Sequence, residues 1–243
     1  MSDHVRVIRI GQPKVRNAIN TATAQRLHDE FVAFDYDDTA RVAVLTGDTD
    51  AFCAGANLRD LPRLRDSGPL GPTRLTLSKP VVAAIDGWCV AGGVELAAWC
   101  DLRVAGDGAR FGCLERRWGV PLVDGGTYRL PRIVGLGRAL DLILTGREID
   151  AAEAERIGLV DRLVPAGTAL DAAVALAGEI AAFPWDCVVS DRRATYDGLG
   201  LDLADALANE DRLGREIILA EGFGAGVSRF ESRPRGQRGA RDR

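Results

Sequence analysis

The chain has 243 residues, 47% of them hydrophobic and 27% charged, with a formal net charge of −4. That length suits one domain, or one domain with a helical appendage, and supplies ample material for a core. A mildly acidic chain offers no overall nucleic-acid footprint, and no apolar run approaches the roughly 18 residues that span a bilayer.

The five cysteines (Cys53, Cys89, Cys100, Cys113, Cys187) form no CxxC pair and no metal-ligand spacing. Reduced, buried thiols and no metal centre are expected. The first residues lack the apolar stretch of a secretion signal, which points to the cytoplasm. His4 and His28 are the only histidines, so a histidine-based triad has little room here. Proton chemistry then falls to carboxylates.

In chain order, the alternation over 4–10 predicts a first strand, followed by a loop from Gly11 to Asn20 that carries Lys14, Arg16 and Asn17. Thr21 is the expected cap of a helix to about Phe34, with Leu27, Phe31 and Phe34 on its buried face. Arg41–Thr46 reads as a second strand. The small residues of Ala51–Leu58 suit close approach of a ligand to main-chain N–H groups, or a plain tight turn. A short helix is predicted around Leu58–Leu64, then a mobile loop or weak helix over 66–78.

The centre of the pattern is residues 80–101. Val81–Ile85 is a short apolar, β-branched run, a buried strand. Gly92 and Gly93 then allow a sharp turn into a helix beginning near Val94. The first N–H groups of a helix lack internal partners, so this corner can hold developing negative charge. Glu95 follows within the first turn. Further strands are expected at Asp101–Ala105, Arg110–Phe111 and Val160–Val164, and helices at 126–133, 137–144 and 150–157. From Thr168 to about Ala220 the pattern is helical, broken near Pro184 and Gly198–Gly200.

Two such corners suggest an oxyanion hole, in which one donor is worth about 3–4 kcal/mol. Glu95 and Glu115 are then the candidate acid–base pair. Each has a plainer reading, Glu95 as a solvated first-turn glutamate and Glu115 as a surface partner of Arg116.

Over Lys14–Asn20, Phe52–Leu58, Lys79–Asp101, Ala109–Glu115, Gly119–Thr127 and Leu144–Val164, the chain resembles the crotonase superfamily, the enoyl-CoA hydratase/isomerase family. The resemblance implies an α/β fold, a repeated ββα spiral core with a helical C-terminal trimerisation region. It implies an acyl-CoA ligand, with coenzyme A entering only as part of the substrate thioester and no separate cofactor. By position, Ala56 and Gly92 match the oxyanion donors, and Glu95 and Glu115 the glutamates that activate water in hydratases. Val15, Arg16, Ala18, Ala54 and Leu58 match the CoA-site lining. The implied organisation is a core with the acyl-CoA site over 1–165 and an oligomerising helical region over 166–230, giving trimers or hexamers. An arginine-rich disordered tail is expected over 231–243.

The segment after Glu115 departs from hydratases. Val123 replaces a glycine that usually borders the catalytic water, and Asp124 adds a carboxylate. Asp124 is either a further acid, as in some isomerases and dehalogenases of the superfamily, or the N-cap of the next helix. Hydration of a 2-enoyl-CoA is the leading expectation. Double-bond isomerisation or related enolate chemistry through Asp124, and non-catalytic acyl-CoA binding, stand beside it.

Overall fold

The structure, a computed structural model, describes residues 4–220 together with Ser228, Glu231 and Ser232. Apart from Glu231 and Ser232, the expected tail lies outside the described residues. The chain divides into two compact units, Met1–Ala181 and Ala182–Arg243.

Successive strands of the first unit go to two different sheets. β1 (Val5–Arg9), β2 (Val42–Thr46), β4 (Val81–Ile85), β6 (Leu102–Gly106) and β9 (Arg162–Val164) form one sheet in that order. β3 (Ala51–Cys53), β5 (Trp88–Val90), β7 (Arg110–Gly112) and β8 (Ile149–Asp150) form the other. Each winding lays one strand in each sheet: β2 then β3, β4 then β5, β6 then β7. All neighbours are parallel except β7 and β8, with Val44 opposite Val82 and Ala84 opposite Val104 in the first sheet. This is the repeated ββ(α) spiral. Every residue of β2 and β4 is buried, because both faces of a central parallel sheet are covered.

Helix α1 runs Thr21–Tyr36 and buries Thr23, Ala24, Leu27, Phe31 and Phe34. Its cap is Asn20, not Thr21. The Asn20 side chain accepts from Thr23 N–H at 2.9 Å, which satisfies one of the orphan donors of the first turn. Phe31 meets Trp99 of α2 (Gly92–Trp99) edge-on at 4.8 Å, joining α1 to the central helix.

No helix forms over Leu58–Leu64. Pro62 cannot donate into a ladder, and Leu58, Leu61 and Leu64 are all exposed, so the stretch has no buried face to hold it helical. The 66–78 stretch is also different from the expected surface loop. Residues 68–73 are buried in a run of turns.

After β7 come a 3-10 turn at Leu114–Trp118, α3 (Gly126–Val134), α4 (Leu136–Thr145) and α5 (Ala151–Arg156). Helix α6 (Ala169–Ala181) packs on β1, β2, β4 and β6, so the first unit extends to Ala181 rather than ending near residue 165. In the second unit, α7 (Trp185–Gly198) and α8 (Leu203–Ile218) pack against each other.

Candidate active site

The central corner is built by backbone that only small residues permit. Strand β5 ends at Val90, and Ala91 then adopts φ +52° and ψ −129°, a left-handed conformation rare for a residue with a side chain. Such an outlier costs about 1–3 kcal/mol and is held only where its surroundings over-determine it. Here Ala91 N–H donates to Gly112 O at 2.8 Å, and Ala91 O accepts from Val94 N–H at 2.9 Å. The turn makes Gly92 the first residue of α2, two residues earlier than expected, so its N–H has no acceptor within the helix. A Cβ on Gly93 would stand 2.1 Å from Cys53 O, so this glycine lets α2 lie directly on β3.

The second corner meets the first. A Cβ on Gly55 would lie 2.8 Å from Gly92 N, and one on Gly92 would lie 3.3 Å from Gly55 Cα. In the parallel bridge between Ile19 and Ala56, Ile19 N–H donates to Gly55 O and Asn57 N–H donates to Ile19 O, both at 2.8 Å. The N–H of Ala56 therefore points away from Ile19. Ala56 and Gly92 are both half-buried and carry main-chain N–H groups on adjoining corners.

Three buried carboxyl groups lie on this part of the first unit, Glu95 bonded to the Asp124 main chain and within electrostatic reach of Glu115. Glu95, Glu115 and Asp124 are buried, 3%, 5% and 2% exposed. Glu95 Oε1 accepts from Asp124 N–H at 2.9 Å and from Gly126 N–H, the first donor of α3, at 2.8 Å. Neither plain reading holds. Glu95 is sealed rather than solvated, and Glu115 is buried with no hydrogen-bond partner for either oxygen among the described residues. Burial pushes Glu95 up to about 7, opposed by the Gly126 N–H bond and assisted by the nearby Asp124 charge. Burial also raises Glu115, with its own N–H and then the Arg116 charge pulling the other way.

Asp124 does not cap α3; Gly125 occupies that position, with φ +97°. The Asp124 carboxylate accepts instead from the Thr73 hydroxyl and from Leu70 N–H, the latter at 3.1 Å. Burial raises its pKa, against the Thr73 bond. Val123 is 37% exposed, in contrast to the sealed carboxylates, and its carbonyl accepts from Arg74 at 2.8 Å.

The residues matched to the CoA lining also come together. Ala54 N–H donates to Arg16 O at 3.0 Å, which seats the loop of Val15, Arg16 and Ala18 beside Ala54. Val15, Arg16 and Leu58 are exposed, Ala18 and Ala54 half-buried. The Arg16 guanidinium lies 5.9 Å over the Trp88 ring. Arg16 and Asn17 both have positive φ, +52° and +55°. Asn17 holds them there: its amide donates to Ala51 O (2.7 Å) and Asp48 (3.0 Å), and its oxygen accepts from Gln12 N–H (2.7 Å). Asn17→Ala should therefore cost about 2–4 kcal/mol by stranding these groups, read as a lower urea midpoint at unchanged slope.

The chemistry of the thiols is quiet. Cys53, Cys89, Cys100 and Cys113 are buried and unpaired, and burial pushes Cys53 and Cys113 up to about 12, so neither is a ready nucleophile. His4 bonds Thr39 O on the exposed start of the chain and His28 pairs with Asp29 on α1. Thr73, Leu70, Arg74, Arg129, Trp88 and the anchoring role of Asn17 are additions from the structure. A buried polar residue inside the Gly-Pro-rich stretch 68–73 leaves no periodic signal, because its partners lie some 50 positions away.

Fold and site together define a two-sheet α/β spiral protein with two adjoining glycine-built backbone corners and a set of buried carboxyl groups. The family model described as enoyl-CoA hydratase/isomerase matches residues 1–236. A probable enoyl-CoA hydratase of Rhizobium meliloti is 37% identical over 93% of this chain and 91% of its own length. The 2,3-dehydroadipyl-CoA hydratase of Escherichia coli is 33% identical over 93% and 91%. The crystal structure of an enoyl-CoA hydratase from Mycobacterium tuberculosis superposes with a TM-score of 0.91 at 35% identity, covering 97% of this chain and 95% of that one. The chain belongs to the enoyl-CoA hydratase/isomerase family, within the crotonase superfamily.

Proposed function

We propose that this protein adds water to a 2-enoyl-CoA to give a 3-hydroxyacyl-CoA. The observation that carries the reading is the unlike pair of buried glutamates beside the two main-chain donors. Glu95, with two N–H groups on one oxygen, is stabilised as a carboxylate and poised near neutrality, which suits a base. Glu115, whose pKa burial raises against its own N–H and the Arg116 charge, is the partner we assign as the acid.

In the reaction, the Glu95 carboxylate takes a proton from water while the oxygen bonds to the β-carbon of the conjugated thioester. The π electrons shift to the thioester oxygen, where the N–H groups of Ala56 and Gly92 meet the negative charge without reorganising. Electron density returns to form a bond from the α-carbon to the Glu115 proton. Glu95 then holds water's proton and Glu115 is ionised; exchange with solvent restores both. The thioester supplies coenzyme A, and the chemistry calls for no further cofactor. A trimer or hexamer, as the family resemblance implies, belongs to the same reading and is checked by sedimentation; the cytoplasmic location rests on the reduced cysteines and the chain's first residues.

The test is to follow loss of the conjugated thioester absorbance with short- and medium-chain 2-enoyl-CoA and to weigh the product. A gain of one water is expected. Glu95→Gln should lower kcat by about 10²–10⁴, and the parent's rate should rise with pH through about 7 as Glu95 ionises. Glu95→Gln and Glu115→Gln variants that turn over as fast as the parent would sink the assignment. A shifted double bond without added water would transfer it to isomerisation, for which Asp124, already engaged by two donors, is poorly prepared.

A further inference from the structure

Two segments distant in sequence are stitched together around the site. Leu70 N–H and the Thr73 hydroxyl donate to one oxygen of Asp124. Arg74 donates to Val123 O (2.8 Å), while Arg129 donates to Thr73 O (2.6 Å) and to Asp124 O (2.9 Å). The Asp124 N–H in turn is taken by Glu95. Every main-chain and side-chain group of Asp124 named here is therefore committed to holding something.

What it holds most directly is Leu70. This side chain is 1% exposed, and its Cδ1 would stand 2.6 Å from a Cβ placed on Gly92. Leu70 thus lies against the residue that supplies one of the two corner donors. Space for the Asp124 contact is kept open by Gly68, where a Cβ would meet the Thr73 hydroxyl at 2.1 Å and the Asp124 carboxylate at 2.8 Å.

We propose that Asp124 is a positioning residue that seats Leu70 against Gly92 through Leu70 N–H and Thr73, and so fixes the anion-stabilising corner instead of transferring a proton. This rests on the reading of Ala56 and Gly92 as thioester-oxygen donors. It assigns the acidic residue of the unusual post-Glu115 loop to geometry rather than to acid catalysis. Asparagine at 124 keeps an acceptor for Leu70 and Thr73, whereas alanine does not, and valine at 73 removes the hydroxyl donor while conserving shape.

The experiment titrates the full-length protein and its Thr73→Ser, Thr73→Val, Asp124→Asn and Asp124→Ala variants with two ligands. Butyryl-CoA reports ground-state binding. Acetoacetyl-CoA, whose enolate places negative charge on oxygen at the corner, reports the anion site through its enolate absorbance. Thr73→Ser and Asp124→Asn should stay within threefold of the parent for both. Thr73→Val and Asp124→Ala should bind acetoacetyl-CoA about tenfold more weakly with butyryl-CoA within threefold, and should lower kcat for hydration about tenfold with little change in KM.

If Asp124→Asn abolishes turnover while Thr73→Val matches the parent, Asp124 is a proton-transfer group and the proposal falls. Equal losses for both ligands, or none, also overturn it, since neither singles out the anion corner. A parent that binds both ligands, shows the expected split among variants and hydrates nothing refutes hydration and leaves the positioning role standing. A parent that binds neither removes both.

Discussion

Glu115→Gln is expected to lower the hydration rate by about 10³ while making the protein more stable at pH 8. The two effects have one cause. Glu115 is 5% exposed, and its own N–H and the Arg116 charge offset the burial of its ionised form only in part. Its folded pKa is raised by burial. Between the ordinary carboxylate range and that raised value the folded protein binds more protons than the unfolded chain, so wild-type stability falls as pH rises through this window. Glutamine removes the ionisation, and its amide costs less to bury than a charge. The variant should gain about 1–2 kcal/mol over the parent at pH 8, and much less at pH 4, where both are neutral. Chemical denaturation at the two pH values, with the rate measured alongside, tests both halves. An unchanged rate would remove Glu115 from the chemistry; reduced stability at pH 8 would mean that its carboxylate finds a partner after all. Glu95 follows the same sign, its contribution falling as pH rises from about 4.5 through about 7.

The contrast between Glu95 and Glu115 shows what one chain of letters carries. Buried strands at Val42–Thr46 and Val81–Ile85 are legible because short, almost wholly apolar runs rich in valine have few other fates. The three-residue strands Ala51–Cys53 and Trp88–Val90 are too short for any period, and pairing with each other makes them strands. The Asn20 cap is displaced by one from Thr21 because both residue types cap helices, and only geometry separates them. Asp124 read equally well as a cap, yet its partners Leu70 and Thr73 are fixed by tertiary contact some 50 residues away. Local chemistry was readable; convergence was not. The family resemblance supplied the pairing of Glu95 with Glu115, which spacing alone leaves open.

Gly92→Ala should leave a folded protein that has lost about 10²–10³ in kcat. The distinction from Gly93 makes this informative. At Gly93 the added Cβ strikes a main-chain oxygen, Cys53 O at 2.1 Å, which cannot yield without moving β3 from α2. At Gly92 the nearest atom is the end of a flexible side chain, Leu70 Cδ1 at 2.6 Å, with Gly55 Cα next at 3.3 Å. The first residue of α2 tolerates alanine as a helix former, so the cost is a displaced Leu70 and a slight separation of the two corners. On the proposed reading, the Gly92 N–H survives chemically but is displaced from the oxygen it would share with the Ala56 N–H. Because such donors act on charge that develops only in the transition state, KM should move little while kcat falls. Thermal unfolding of Gly92→Ala within a few degrees of the parent, together with the rate loss, assigns the corner to catalysis. Equal collapse of Gly92→Ala and Gly93→Ala would instead make this glycine pair a packing device, and full activity in Gly92→Ala would move the anion site elsewhere.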